Sequence, residues 1–67
     1  MSTYKITEIV GTSPISFAEA VKEGVKRASK TLRNLKWFEV VDERGKINDG
    51  QVTEFQVTMK VGFKLED

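Results

Sequence analysis

The segment from Phe55 to Leu65, FQVTMKVGFKL, decides the fold of this chain. Apolar and polar residues alternate along it. Because the side chains of a β-strand point alternately to its two sides, this pattern is typical of a strand with one buried and one solvated face. The buried face is expected to carry Phe55, Val57, Met59, Val61, Phe63 and Leu65, and the solvated face Glu54, Gln56, Thr58, Lys60, Gly62 and Lys64.

The residues before this strand predict a hairpin. Asn48-Asp49-Gly50 contains the residue types that accept the positive φ angles of a tight turn between antiparallel strands. The preceding segment, from Lys36 to Ile47, also repeats with a period of two and is predicted to be the partner strand.

The single Trp falls in that partner strand. Phe38 and Val40 suit the side of the sheet that a helix covers, so Trp37 is expected on the uncovered side. Simple alternation then places Glu39 and Glu43 on the same side as Trp37. It places Arg44 on the side of Phe38. It also puts Gln56, from the last strand, on the side of Trp37.

An amphipathic helix is predicted upstream, because apolar residues recur there at steps of three and four. Its apolar stripe consists of Phe17, Val21, Val25, Ala28, Leu32 and Leu35. Ser16 and Glu19 form a capping box at its start, and Lys30 and Arg33 are expected in its last turn, where the helix dipole favours positive charge. Gly24 costs the helix about 1 kcal/mol relative to Ala. It either permits a close approach of another backbone or ring, or it is a neutral substitution that the helix tolerates.

A first strand is predicted from Tyr4 to Val10, ending at Gly11-Thr12-Ser13-Pro14. The element order is therefore β-α-β-β. A right-handed crossover makes the first two strands run in the same direction, with the long last strand between them. The prediction is an α+β fold, a three-stranded antiparallel sheet in the order 1-3-2 packed on one helix, in a single domain spanning residues 1–67.

Length and composition limit the function. A 67-residue chain buries only about 60% of its surface, and with no Cys and no His this one has neither disulfides nor a zinc site to supplement its core. Self-association is the remaining way to gain stability. A net charge of +1 argues against nucleic acid and membrane as partners, and the short N-terminal stretch contains no apolar run of signal-peptide length. We expect a soluble cytoplasmic protein.

Catalysis is not expected. Without His or Cys the hydroxyl groups lack an obvious general base, and Glu39 and Glu43 would lie about 13 Å apart along the strand, too far for a glycosidase pair. No metal site is predicted, because the acidic residues lack the spacing of a calcium loop, although a subunit contact could assemble a weak one. The glycines form no phosphate-binding loop, and Gly62 is interpreted as an ordinary strand residue.

An exposed Trp needs a partner. Trp37 is either an apolar anchor in a subunit interface or a platform for a planar ligand, and interface packing is the commoner role of exposed aromatic residues.

Several segments of the chain resemble one protein family. They are Gly11-Thr12-Ser13, Lys30-Thr31-Leu32-Arg33-Asn34-Leu35, Trp37-Phe38-Glu39-Val40 and the run from Phe55 to Phe63. In order, spacing and total length they are similar to the dodecins, small flavin-binding proteins. The resemblance implies a β-α-β-β subunit in a hollow homo-dodecamer, with flavins held in pairs at two-fold contacts between subunits.

The resemblance also implies the site residues. Trp37 would stack on the isoalloxazine ring, and Gln56 would bind its pyrimidine edge. Arg44 would lie near the ribityl or phosphate end and favour FMN over riboflavin. The implied cofactor is FMN, with riboflavin or FAD as alternatives. Otherwise Arg44 is a solvated strand charge, and reaching the ligand from its predicted side requires a bulge or a neighbouring subunit near Gly45.

A second ligand, coenzyme A, is implied on a basic surface for which Lys5, Arg33 and Lys64 are the candidates; the alternative is a solvated basic face. The implied function is flavin storage and sequestration without turnover. The competing hypothesis is a structural homo-oligomer in which Trp37 packs only against protein.

Overall fold

The structure, a computed structural model, describes residues 2–66. Its elements are β1 (Tyr4–Ser13), α1 (Phe17–Ala28), β2 (Leu35–Asn48) and β3 (Gln51–Lys64). The strands form one antiparallel sheet in the order β1-β3-β2, with β3 paired to both neighbours. This confirms the predicted fold class and strand order. In the part of the chain that the structure describes, no helix has the length and apolar character needed to cross a membrane.

The core lies between α1 and one face of β3. Its fully buried residues are Ala20 from α1 and Val57, Met59 and Val61 from β3. Each large side chain buried in this way contributes about 1.5 to 3 kcal/mol of transfer free energy. The alternation in β3 is therefore confirmed as a buried face opposite a polar one.

Two glycines allow α1 to lie close to β1. A Cβ added to Gly24 would stand 2.8 Å from Met59 Cε and 3.1 Å from Gly11 Cα. A Cβ added to Gly11 would overlap the carbonyl of Ala20. Of the two interpretations of Gly24, close approach of a backbone is confirmed.

The helix ends earlier than predicted. Its start is as expected, since Ser16 is the N-cap and its Oγ accepts a hydrogen bond from Glu19 N at 3.0 Å. Its end, however, is at Ala28, capped by Ser29, whose Oγ donates to the carbonyl of Lys26 at 2.7 Å. The prediction of a helix continuing to Leu35 is wrong.

The apolar repeat of the sequence continues past the end of the helix. The residues there still form hydrogen-bonded turns, among them one from Leu32 N to the carbonyl of Ala28 at 2.9 Å. Asn34 then takes a left-handed conformation, with φ of 63°, and leads the chain into β2. Leu35 does pack on the core, but as the first residue of β2. Lys30 and Arg33 accordingly lie beyond the helix, and its last turn carries Lys26 and Arg27 instead.

The hairpin turn is as predicted. Asp49 and Gly50, with φ of 52° and 73°, occupy the two central positions between β2 and β3. Positive φ at both positions is the geometry of the type I′ turn, which matches the twist of antiparallel strands.

A first irregularity in β2 separates Leu35 from Trp37. Leu35 pairs with Phe63 and Trp37 with Gly62, so Lys36 is an extra residue in the ladder. A bulge of this kind reverses the alternation of the strand. Leu35 therefore faces the core and Trp37 the opposite side of the sheet, although the two are separated by one residue.

A second irregularity falls at Val41. Val40 pairs with Met59 and Asp42 with Thr58, so Val41 is extra and the alternation reverses again. Arg44 is carried to the side of Gln56, its partner in the ladder. The predicted side of Arg44 is therefore wrong, and the required bulge, at Val41, lies four residues before Gly45.

The same bulge separates the two glutamates that were predicted to share a face. Glu39 pairs with Lys60 on the uncovered side, whereas Glu43 pairs with Val57 on the side of the helix. Because α1 packs mainly on β1 and β3, the helix-side residues Phe38 and Val40 stay 49% and 44% exposed. The expectation that the helix covers them is wrong for a single chain.

Candidate functional site

Trp37 rests on the backbone of Gly62 on the uncovered face of the sheet. A Cβ at Gly62 would overlap the six-membered ring of the indole, so the glycine makes room for it. The Tyr4 ring also packs against Trp37, with its centroid 5.2 Å from that of the indole at an interplanar angle of 58°. Trp37 nevertheless keeps 41% of its surface exposed. It is a held, accessible aromatic side chain.

Gly62 and Tyr4 also belong to this site, although neither was predicted from the sequence. Gly62 was interpreted as an ordinary strand residue, although a glycine inside a strand often marks close approach of another group. Tyr4 was assigned only to its strand. Its contact with Trp37 depends on the register in which β1 and β2 pair with β3, with Tyr4 opposite Lys64 and Trp37 opposite Gly62.

A polar cluster lies on the same face of the sheet; we define it as Asp42, Arg44, Glu54, Gln56 and Thr58. Arg44 is its centre. Its Nε donates to Gln56 Oε1 at 2.9 Å, and its Nη1 donates to Thr58 Oγ1 at 2.9 Å and to Asp42 Oδ2 at 3.3 Å. Arg44 is thus held in place rather than extended freely into solvent.

Gln56 links the cluster to Glu54. Its Nε2 donates to Glu54 Oε1 at 2.8 Å, and Lys46 Nζ lies 3.5 Å from the same oxygen. The hydrogen bond from Gln56 lowers the pKa of the Glu54 carboxyl. Partial desolvation of this carboxyl opposes that change, and the charge and hydrogen bond of Lys46 reinforce it.

Trp37 and Gln56 share a face but not a pocket. Along β3 the ladder partners of Trp37 and Arg44 are Gly62 and Gln56, which are separated by six positions or about 20 Å. That exceeds the length of a tricyclic ring. The structure brings Arg44 and Gln56 together and leaves Trp37 apart, so one planar ligand can contact all three only if two copies of the chain contribute.

The basic residues considered for a second ligand do not converge. Lys5 pairs with Phe63 and thus points to the side of the helix, whereas Lys64, next to Phe63 along β3, points to the uncovered side. Arg33 lies between α1 and β2, with Nη1 3.7 Å from Glu66 Oε1. Within one chain these three side chains form no common site.

Between residues 2 and 66, His, Cys, Asp and Glu side chains form no group of three or more that could hold a metal ion.

Comparison with known proteins shows the family of this chain. The sequence model of the Dodecin family matches residues 3–66. The chain belongs to the dodecin family. This confirms the resemblance drawn from the sequence.

Similar dodecins include bacterial proteins of known structure. The dodecin from Streptomyces davaonensis has a TM-score of 0.97 at 57% identity, covering 98% of this chain and 97% of that one. Dodecin from Thermus thermophilus is 48% identical over 64 residues, which span 96% of this chain and 93% of that protein. The calcium dodecin of Mycobacterium tuberculosis is 29% identical over 65 residues, or 97% and 92% of the two chains.

Proposed function

We propose that this dodecin binds and sequesters flavin, with FMN or riboflavin stacked on Trp37 at contacts between subunits. The observation that carries the proposal is the exposed indole of Trp37, held against Gly62 on the uncovered face of the sheet. A rigid, accessible aromatic plane is what stacking on an electron-poor ring system requires. Stacking of a base on such a residue is worth about 1 to 3 kcal/mol, and a flavin ring is expected to gain a similar amount.

The polar cluster supports the same ligand. The Gln56 amide can donate to and accept from the uracil-like edge of the isoalloxazine. The Arg44 guanidinium, on the same face, can pair with the FMN phosphate, which makes FMN a better ligand than riboflavin. FAD offers the same ring with a longer tail. The protein binds this ligand without converting it.

The separation of about 20 Å between the two ends of the site supports assembly. A second copy related by a two-fold axis brings its own Gln56 towards the Trp37 of the first chain. We propose that such contacts recur in a hollow homo-dodecamer. The apolar side chains of Phe38 and Val40, half exposed in one chain, supply further surface for subunit contacts.

A structural homo-oligomer without ligand is the second candidate. The exposed apolar residues favour it, because a subunit interface alone would cover them. In that case Trp37 packs only against protein.

Titration of the purified protein with FMN and with riboflavin separates the two candidates. A flavin-binding protein quenches flavin fluorescence saturably, by rapid electron transfer from the stacked indole, and Trp37→Ala loses both quenching and affinity. Trp37→Phe is the matched variant, since it keeps a smaller aromatic plane and retains part of the affinity. Absence of saturable binding by the wild-type protein would leave the structural candidate.

Light scattering on the same samples tests assembly. A dodecameric mass is expected, and a folded monomer contradicts the proposal.

Titrations with coenzyme A and with Ca²⁺ test two further ligands. The first is proposed to bind the basic surface carrying Lys5, Arg33 and Lys64 of several subunits, and the second is suggested by the name of the mycobacterial relative.

A further inference from the structure

The amide of Gln56 is held from both ends. Its oxygen accepts a hydrogen bond from Arg44 Nε at 2.9 Å, and its nitrogen donates one to Glu54 Oε1 at 2.8 Å. An Arg guanidinium has only donors, and an ionised carboxylate has only acceptors. Turning the amide over would set N–H against N–H and oxygen against oxygen. One orientation of the amide is therefore favoured over the other.

Both clamping residues are themselves held. Arg44 is fixed by its bonds to Thr58 and Asp42. Glu54 is next to Lys46 Nζ, at 3.5 Å, and its lowered pKa keeps it ionised at neutral pH, so it remains an acceptor. In the chain of contacts from Asp42 through Arg44, Gln56 and Glu54 to Lys46, every donor faces an acceptor.

Fixing the amide leaves defined groups for a ligand. A primary amide has two N–H donors and two lone pairs on oxygen, and the protein uses one of each. Because the amide cannot turn over, the remaining N–H and the remaining lone pair keep fixed positions relative to each other. The pyrimidine edge of a flavin carries one N–H between two carbonyl groups. The second lone pair of Gln56 Oε1 can accept from that N–H, and the orientation of the amide then decides which of the two carbonyl groups accepts from the free N–H.

We propose that Glu54 and Arg44 are positioning residues that orient the Gln56 amide and thereby select the imide edge of the ring and the direction in which the ring enters. This inference rests on the proposed function. Glu54 was predicted only to lie on the polar face of the last strand and not to belong to the site, and it acts on the ligand only through Gln56. Its substitution should therefore alter recognition of the imide edge more than stacking on Trp37.

Glu54→Gln is the test, because it keeps the size of the side chain and offers Gln56 either a donor or an acceptor. Riboflavin is compared with its N3-methyl derivative, which has lost the imide N–H. The wild-type protein is expected to prefer riboflavin about tenfold, the equivalent of one good hydrogen bond, and Glu54→Gln to reduce this preference below about threefold. Glu39→Gln is the matched control, since it removes the same charge on the same face outside the polar cluster.

Three results would overturn the inference. One is a Glu54→Gln protein that keeps the wild-type preference for riboflavin over the N3-methyl derivative. Another is an Arg44→Lys protein, which has lost the Nε donor, that keeps this preference. Equal loss of preference in Glu39→Gln and Glu54→Gln also contradicts it, because a general charge effect would then explain both.

The orientation itself can be measured without flavin. In protein labelled with nitrogen-15, the Gln56 Nε2 proton bonded to Glu54 is expected to resonate downfield and exchange slowly, and to lose both properties in Glu54→Gln. If the wild type binds no flavin while these signals are present, the proposed function and the selection of the imide edge fail, and the orientation of the amide stands. If the signals are absent from the wild type, the positioning role is wrong whatever the protein binds.

Discussion

The indole of Trp37 occupies the space that a side chain at position 62 would fill. Gly62 pairs with Trp37 across the β2–β3 ladder, and a Cβ there would overlap the six-membered ring. The proposed ligand platform is thus built from an aromatic residue and the absence of a side chain opposite it.

Gly62→Ala is expected to displace Trp37. Because overpacking a filled position typically costs about 1 to 3 kcal/mol, the variant should unfold at lower urea concentration and bind flavin less tightly. Trp fluorescence and urea unfolding provide the measurements. The double variant with Trp37→Ala is the control, since removing the indole removes the overlap. Additive costs in the two single variants and the double variant would contradict the contact.

Arg44→Ala is expected to weaken FMN binding more than riboflavin binding. A charge-assisted hydrogen bond to phosphate is worth about 1.5 to 3 kcal/mol, whereas riboflavin offers Arg44 no anion. The ratio of the two dissociation constants, measured at low and at high salt, reports the effect. Lys46→Ala removes a neighbouring positive charge on the same strand and should leave the ratio nearer that of the wild type. An unchanged ratio in Arg44→Ala would mean that this residue serves only the protein.

Gly24→Ala tests the close approach of α1 to β1. Alanine favours the helix by about 1 kcal/mol, yet the new methyl group would press on Met59 and on the backbone of Gly11. We expect the packing cost to exceed the propensity gain, so that the variant is destabilised in a urea titration. Glu23→Ala, one residue away in the same helix, is the control. Stabilisation of Gly24→Ala would show that the contact relaxes easily.

Acid should remove the contribution of Glu54 to stability. Its pKa is lowered by the hydrogen bond from Gln56, with help from Lys46, so its contribution is present above the unfolded-state pKa. That contribution is lost as the pH falls below about 4.5 and through the folded-state pKa. The difference in stability between wild type and Glu54→Gln is therefore expected to shrink over that range. A difference that stays constant down to acidic pH would argue against the hydrogen bond in solution.

The end of α1 and the bulges of β2 could not be predicted from the sequence. The apolar repeat from Phe17 to Leu35 was continuous, yet α1 ends at Ala28. A repeat of three and four does not distinguish a helix from successive turns that follow it. Similarly, Val41 does not look different from its neighbours, yet its bulge decides the side on which Arg44 lies.

By itself, the sequence determined the order of the elements, the buried face of β3, the hairpin turn and the N-cap, because each depends on residues near one another in the chain. It also indicated Trp37 and Gln56 as residues of the uncovered face. The tertiary structure alone decided the two bulges in β2, the polar cluster around Arg44 and the packing of Trp37 on Gly62. These depend on the register between strands, which is set by how whole strands pack on a common core and not by the alternation within any one of them.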